Sequence, residues 1–342
     1  MTRFDGIRVY LNREGTRIMR QVLCIFVALL CFEVVAGPVR WADRLQDKEI
    51  DPMKSAALFV GVRTFTDDLS LTQVPYAVDD AVDLAFELTM NPQRILVAPQ
   101  RVVLALSGEP QKEESQEKLR QLLASGASRS AAGHSDILKQ LDLQSRAVEP
   151  NGIFIAAFAT HGVSEDGTQY LLTASSLLAH YQQTSLTDIG IRDIVTRNGV
   201  PRSLIFIDAC RERLTKDKRS GELDPRSMAK VLRAMSGVNG QAVISAAAVG
   251  GYAYDDEVRR NGVFTENVID GLHCGASRNA AGFITVDTLH SYVESHVLYW
   301  LRLHKDSTVK KATQLVTEGA TKQMPLSVCI NGTASASRPR SR

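Results

Sequence analysis

The sequence predicts an α/β fold in which a mainly parallel β-sheet carries helices on both faces. Apolar stretches rich in β-branched residues recur along the chain, and each is long enough for one buried strand. The segments between them place apolar residues at helical spacing. The composition, 44% apolar and 23% charged, is that of a globular chain with a sizeable core. Apolar strands that alternate with amphipathic helices are typical of a parallel sheet covered on both faces.

The predicted elements follow one another after a polar, irregular segment, residues 38–55, which is expected to be a linker. Buried strands are predicted over 56–62, 102–106, 153–160, 204–207 and 242–248, and a final edge strand over 325–330. Helices are predicted over 78–88, 136–146 (capped by Ser135), 187–196, 228–235, 263–272 and 286–301. The buried stripe of the last helix is expected to contain Leu289, Val293, Val297 and Trp300. Residues 108–133 are expected to form an exposed insertion with a helical piece.

The charge balance gives no whole-chain electrostatic reason to bind nucleic acid. The formal net charge is only +2 over 342 residues. No residues show zinc-ligand spacing, and no glycine-rich loop is suited to a phosphate. The sequence therefore predicts no cofactor and no nucleic-acid partner.

The N-terminal residues 1–37 are expected to be a signal peptide. The apolar run Val22–Phe32 follows Arg17 and Arg20, and it is shorter than the roughly 20 apolar residues of a membrane span. The protein is therefore expected to be exported, either to a periplasm or out of the cell. The alternatives are an uncleaved membrane anchor and a buried helix, and Met19 is an alternative start.

The cysteines fit an exported protein. Two of the five lie in the apolar run, which leaves Cys210, Cys274 and Cys329 in the mature chain. Disulfides form in oxidising compartments, so Cys274 and Cys329 could pair and leave Cys210 as the odd thiol. Two buried free thiols would give the same pattern.

Two predicted strands end in reactive side chains. His161 and Gly162 follow the strand over 153–160, and Cys210 comes shortly after the strand over 204–207. The carboxyl ends of parallel strands meet at one edge of a sheet, where ligands bind. There an imidazole can take the proton of a thiol, and the backbone N–H groups of Gly162 and Cys210 could form an oxyanion hole. Alone, either residue would more often be a capping histidine or an inert buried cysteine.

The segments ATHG at 159–162 and IDACR at 207–211 resemble the His-Gly and Asp-x-Cys motifs of the caspase–metacaspase superfamily. Their separation of about 50 residues is also typical of it. Further similar segments are ALFVGV with AVDDAVDL, the stretch over 244–272, ITVDTLHSYV and MPLSV, so the resemblance covers about 56–330 and leaves 331–342 as an expected disordered tail. It implies a caspase-like three-layer sandwich on a six-stranded sheet and a metacaspase-type cysteine endopeptidase, with His161 and Cys210 as catalytic residues.

The resemblance also implies which substrates bind. In metacaspases the position of Asp208 is an Asp that helps to bind a basic P1 residue, and a second acid comes from the first helix. Asp80 matches that acid best, with Asp79 as the near alternative. Carboxylates in a partly desolvated slot favour a bidentate guanidinium, so cleavage after Arg, then Lys, is expected of protein or peptide substrates. The alternative is that these acids only cap a helix and end a strand.

The polar segment after Cys210 corresponds to the family's loop between large and small subunits. Arg213, Lys218 or Arg219 are therefore expected positions of self-processing, although an uncut loop fits equally well.

The sequence departs from the family pattern at two positions. Thr160 stands where a glycine commonly precedes the histidine, and Glu212 stands where caspases frequently have glycine. Some metacaspases bind calcium, but Asp255, Asp256 and Glu257 do not make a convincing oxygen cage. A catalytically silent interaction module and a different thiol acyl-transfer enzyme are the alternative functions.

Overall fold

The computed structural model describes residues 50–92, 94–165, 167–209, 240–247, 253–305, 311–317 and 319–329. The strands are β1 (Ala56–Val62), β2 (Val102–Ser107), β3 (Ser128–Ser130), β4 (Phe154–Ala159), β5 (Gly162–Glu165), β6 (Thr168–Leu171), β7 (Leu186–Thr187), β8 (Ser203–Asp208), β9 (Gln241–Ser245), β10 (Asp255–Asp256), β11 (Asn261–Gly262), β12 (Phe283–Thr285), β13 (Gln314–Thr317) and β14 (Pro325–Val328). The helices are α1 (Ala77–Met90), α2 (Glu113–Ala124), α3 (His134–Arg146), α4 (Tyr181–Thr184), α5 (Asp188–Arg197), α6 (Val263–Asp270) and α7 (Val286–His304).

A seven-stranded sheet forms the centre of the fold. Its strand order is β13-β9-β8-β4-β1-β2-β3, and every neighbouring pair is parallel except β13 with β9. Side chains alternate between its two faces. On one face, residues such as Phe59 and Phe206 pack under α1, α2, α6 and α7; on the other, Leu58 and Phe158 pack under α3 and α5. The predicted α/β class with helices on both faces is confirmed.

The edges of the sheet differ from the prediction. Six strands were expected, with 325–330 as the last edge strand, but β14 pairs with β12 in a separate two-stranded sheet. The edges of the central sheet are instead the short strands β3 and β13. Both are rich in polar residues and only partly buried, so they lack the apolar signal by which the inner strands were found.

Most predicted helices are present, with two differences. Ser135 does not cap α3, because that helix already begins at His134 and has Gly133 at its N-cap position. In α7 the stripe of buried residues ends with Leu301, while Trp300 is only partly buried. The predicted helix over 228–235 and the N-terminal segment 1–37 lie outside the described residues, as does the tail over 331–342. Ile50, at the end of the predicted linker, is buried in the core. None of the helices that the structure describes is long and apolar enough to cross a membrane.

Two small sheets lie next to the carboxyl edge of the central sheet. The antiparallel sheet β5-β6-β7 follows His161 directly, and the hairpin of β10 and β11 precedes α6. The first contacts residues that follow β4 and β8, and the second lies against Asp208 at the end of β8, as described below. The carboxyl edge is therefore where the fold gathers side chains from distant parts of the sequence.

A disulfide joins Cys274, in the turn after α6, to Cys329 at the end of β14. It closes a loop of 55 residues that contains β12 and α7. Cross-linking a loop of this length restricts the unfolded chain. We expect Cys329→Ala to lower the free energy of unfolding by about 3 kcal/mol and Tm by roughly 5–8 °C, measured by calorimetry under non-reducing conditions.

A double-mutant comparison separates the disulfide from the packing of its sulfur atoms. If the bond is responsible, Cys274→Ala, Cys329→Ala and the double variant should have nearly the same Tm, and a reducing agent should lower only that of the wild type. An unchanged wild-type Tm in reducing agent would contradict the prediction.

Candidate functional site

The strands β4 and β8 end in register at one edge of the sheet. Ala159 pairs with Asp208, and the N–H of Thr160 donates to the carbonyl oxygen of Asp208 at 3.2 Å. His161 therefore lies just beyond the carboxyl end of β8, at the same edge of the sheet. Ala209, the buried residue after Asp208, is the last described residue before the predicted nucleophile. Cys210 itself, like Arg213, Lys218 and Arg219, lies outside the described residues.

The imidazole of His161 is oriented by the loop between β1 and α1. Its Nε2 lies 3.0 Å from the carbonyl oxygen and 3.2 Å from Oγ1 of Thr72. A carbonyl oxygen only accepts, so in the neutral ring Nε2 carries the proton and Nδ1 carries the lone pair. The ring also stacks on Phe65, with centroids 5.4 Å apart and planes 12° from parallel. These contacts fix the orientation of the ring and favour the neutral tautomer with its proton on Nε2.

Sequence reasoning missed Phe65 and Thr72. They lie about 90 residues before His161, in a loop without a recognisable motif. The contact to Thr72 runs mainly through a backbone carbonyl, which any residue would supply. No sequence signal could have identified it.

The side chain of Thr160 forms a hydrogen bond within the protein. Its buried hydroxyl donates to the carbonyl oxygen of Leu172 at 2.6 Å, and the N–H of Leu172 donates to the carbonyl oxygen of His161 at 2.9 Å. The residue that departs from the expected glycine thus helps to hold the segment before the imidazole. Gly162 begins β5 opposite Leu171 and is buried. Its role in an oxyanion hole stays a prediction.

The structure brings Asp80 and Asp208 close together. Both carboxylate oxygens of Asp80, on α1, accept the N–H of Gly262 at 2.9 and 3.1 Å. Oδ2 of Asp208 accepts from the hydroxyl of Thr265 at 2.7 Å and from its N–H at 3.3 Å. A Cβ atom on Gly262 would lie 2.5 Å from Asp208 Oδ2 and 3.0 Å from Asp80 Oδ2. The two carboxylates therefore share the small space in front of Gly262.

The surroundings of this pair disfavour its negative charge. Burial, and to a smaller extent the charge of Asp255, raise the pKa of Asp208 to about 7. Burial and then the charge of Asp208 raise the pKa of Asp80 well above its ordinary value. Asp255, on β10, has its pKa raised to about 6 by burial and by Glu257. Every described charge that shifts the pKa values of the pair is another carboxylate, so a bound cation would relieve their repulsion.

Asp79, the alternative to Asp80 as the second acid, contacts a different part of the chain. It accepts the N–H groups of Gln111 and Lys112 at 2.8 to 3.0 Å and so ties the loop before α2 to α1. Asp83, one turn further along α1, forms ion pairs with Lys112 and Lys118. Asp80 is thus the acid of α1 that faces Asp208.

The acidic run in β10 and the following turn is divided between separate partners. Oδ1 of Asp256 accepts two N–H groups of its own turn, and Oδ2 accepts from Nε1 of Trp300 at 3.1 Å. Glu257 accepts from the hydroxyl of Tyr76 at 2.9 Å. Within the part of the chain that the structure describes, no group of three acidic, histidine or cysteine side chains could hold a metal ion.

The sequence matches a family of known proteins. The family model described as the caspase domain matches residues 55–334. Among solved structures, caspase-1 from Spodoptera frugiperda is similar at 13% identity, over 80% of this chain and 91% of its own, with a TM-score of 0.47. A protein from Geobacter sulfurreducens is similar at 13% identity, over 81% of this chain and 99% of its own, with a TM-score of 0.48. No curated protein matches the sequence. Because the family model spans most of the chain, the protein belongs to the caspase domain family of cysteine peptidases.

Proposed function

We propose that the protein is a cysteine endopeptidase that cleaves after arginine and, more slowly, after lysine. The observation that carries this proposal is the carboxylate pair of Asp80 and Asp208 at the sheet edge that also bears His161. Two acids kept close together without a described counter-ion cost stability unless something cationic binds them. Asp208 also lies two positions before Cys210. A side chain held by the pair would thus bring its own backbone close to the proposed nucleophile.

The proposed chemistry uses the tautomer described above. Nδ1 of His161 takes the proton of the Cys210 thiol, and the thiolate attacks the carbonyl carbon of the scissile bond. The N–H groups of Gly162 and Cys210 stabilise the resulting oxyanion. The imidazolium then gives its proton to the departing amine, which leaves a thioester on Cys210. His161 next takes a proton from a water molecule that hydrolyses the thioester and releases the thiol.

The preference for arginine follows from the shape of a guanidinium. It is planar and donates two parallel N–H groups, whereas an ammonium is a compact and strongly hydrated point charge. Two carboxylates around one small space suit the planar, weakly hydrated group better. An acidic P1 side chain would add a further negative charge to a site whose acids already repel one another, so cleavage after Asp is disfavoured.

The hydrogen bond of Thr160 bears on the catalytically silent alternative. The hypothesis of a silent module relied on Thr160 standing in place of glycine. However, the Thr160 hydroxyl donates to the carbonyl oxygen of Leu172, and the His161 imidazole still contacts the carbonyl oxygen of Thr72. A different thiol acyl-transfer enzyme would have no use for the paired acids. The endopeptidase function accounts for both features together.

Export and self-processing belong to the same proposal. The disulfide between Cys274 and Cys329 supports an oxidising compartment, either a periplasm or the extracellular space, with an anchored N-terminus as the alternative. Self-cleavage at Arg213, Lys218 or Arg219 would follow from the arginine and lysine preference, since all three lie soon after Cys210.

A substrate panel combined with covalent labelling tests the proposed function. Fluorogenic peptides that differ only in an Arg, Lys or Asp P1 residue should be cleaved in that order, with Arg ahead of Lys by about tenfold and no cleavage after Asp. An arginine-based ketone electrophile should label one residue, Cys210, as mapped by peptide mass spectrometry. Labelling elsewhere, or a preference for Asp, would contradict the proposal.

A further inference from the structure

We propose that Gln169 is a positioning residue, which holds the segment before the nucleophile through the carbonyl group of Ala209. This inference depends on the proposed function, because it assigns Gln169 a task in aligning Cys210 with His161. The family match does not assign it, and no sequence motif singles it out.

Gln169 lies on the middle strand of the small sheet, with its side chain turned inwards. In β6 the residues Gln169 and Leu171 are buried, whereas Thr168 and Tyr170 are partly exposed. Alternate residues of a strand share a face, so Gln169 points in the same direction as Leu171. Leu171 packs in the apolar cluster that also contains Ala209. The strand thus directs one polar side chain into an apolar layer at the end of β8.

The amide of Gln169 reaches the segment before the nucleophile, and the next part of the chain reaches the segment of the base. Nε2 of Gln169 donates to the carbonyl oxygen of Ala209 at 3.4 Å. Three residues further on, Leu172 donates its N–H to His161 and accepts the hydroxyl of Thr160. A single stretch, 169–172, therefore contacts both strand ends. It therefore links the two strand ends in addition to their pairing within the central sheet.

The cost of burying this amide supports a specific role. Gln169 is 1% exposed, and a buried amide that loses its partners costs more than an apolar side chain of the same size. Its backbone N–H also donates to Oδ1 of Asp188, which anchors this point of the strand to the start of α5. Catalytic groups must be held to within about 0.5 Å of their productive geometry. The hydrogen bond to the carbonyl oxygen of Ala209 holds the backbone immediately before Cys210.

Substitutions that keep the volume but change the donor test this role. Gln169→Met should lower kcat on an arginyl peptide about 10- to 100-fold and leave KM within about twofold, because the P1 pocket is untouched. Gln169→Glu should be similarly impaired at pH 8. Its activity relative to the wild type should recover as the pH falls, because a protonated carboxyl group can donate to Ala209 where a carboxylate cannot.

A second buried glutamine provides the matched control. Gln241, at the start of β9 and at the opposite end of the sheet, is 5% exposed, and its Nε2 has no hydrogen-bond partner in the described part of the chain. Gln241→Met makes the same chemical change away from the site. It should leave kcat and its pH profile as in the wild type.

Alkylation of Cys210 separates this inference from the proposed function. We would measure the rate of iodoacetamide modification at Cys210 against pH, by peptide mass spectrometry, in the wild type, Gln169→Met and His161→Ala. Both variants should react about tenfold more slowly at pH 7 and titrate like an ordinary thiol, near pH 8.5. If His161→Ala reacts like the wild type, the proposed dyad fails. If His161→Ala is slow but Gln169→Met matches the wild type in both alkylation and kcat, the role of Gln169 alone is overturned.

Discussion

Replacing Cys210 with alanine should abolish cleavage of arginyl peptides, and replacing His161 with alanine should lower kcat/KM by on the order of 10³- to 10⁴-fold. The first change removes the atom that bonds to the substrate. The second leaves the thiol but removes the group that takes its proton and later protonates the departing amine. The His161→Ala variant should be folded, because the imidazole is only partly buried and is not part of the apolar core.

Steady-state kinetics on one fluorogenic arginyl peptide measure both effects, with His180→Ala as the control. His180 is an exposed imidazole on a surface turn, so its loss should change kcat/KM by less than twofold. Gel analysis of the same preparations tests self-processing, since the Cys210→Ala chain should stay intact where the wild type is cut after Arg213, Lys218 or Arg219. More than about 1% residual activity in Cys210→Ala would exclude a cysteine mechanism at this position.

Replacing Asp208 with asparagine should lower kcat/KM on arginyl peptides by on the order of 10²- to 10³-fold. A guanidinium in the pocket would lose one of two partly desolvated carboxylates, and losing one partner of such a pair costs several kcal/mol. Asp80→Asn should behave in the same way. Asp79→Asn is the matched control from the same helix, since that carboxylate holds the backbone before α2. It should leave the ratio of arginine to lysine cleavage unchanged.

The pH dependence of these variants gives a second test. The pKa of Asp208 is about 7, compared with 3.8 for an ordinary Asp, so between pH 4 and 7 the folded protein holds a proton that the unfolded chain has lost. This group therefore makes stability fall as the pH rises through that window, whereas arginyl cleavage should rise as the carboxylate forms near pH 7. Asp208→Asn should raise Tm at pH 8 relative to the wild type and flatten the fall. If Tm changes between pH 5 and 8 by the same amount in the wild type and in Asp208→Asn, this account is wrong.

The inner strands of the central sheet could be predicted from the sequence, and its edge strands could not. The strands β1, β4 and β8 are buried along nearly their whole length, so each reads as a continuous apolar run. The edge strands β3 and β13 contact a single neighbour each in the central sheet, and their polar residues carry no such signal. The strand predicted over 325–330 is present as β14, but no sequence pattern shows which sheet an edge strand joins.

Residues of the candidate site could be predicted from the sequence where they belong to a recognisable motif. His161, Asp80 and Asp208 belong to short segments with recognisable spacing, and the structure brings the two acids together. Thr72 and Gly262 were not found, because their contributions run through a backbone carbonyl and a backbone N–H. Such groups are present at every position. Only the folded chain shows which of them contact His161 and the two acids.

The close approach of Gly262 to both acids has a consequence for related sequences. Any side chain at this position would enter the space between Asp80 and Asp208, even though all groups needed for bond breaking remained in place. Under the proposed function, one substitution at this position of the β10–β11 hairpin would therefore remove the preference for a basic P1 residue. Related sequences with an intact histidine and cysteine can then be sorted by this position into those expected to prefer a basic P1 residue and those expected to have lost that preference.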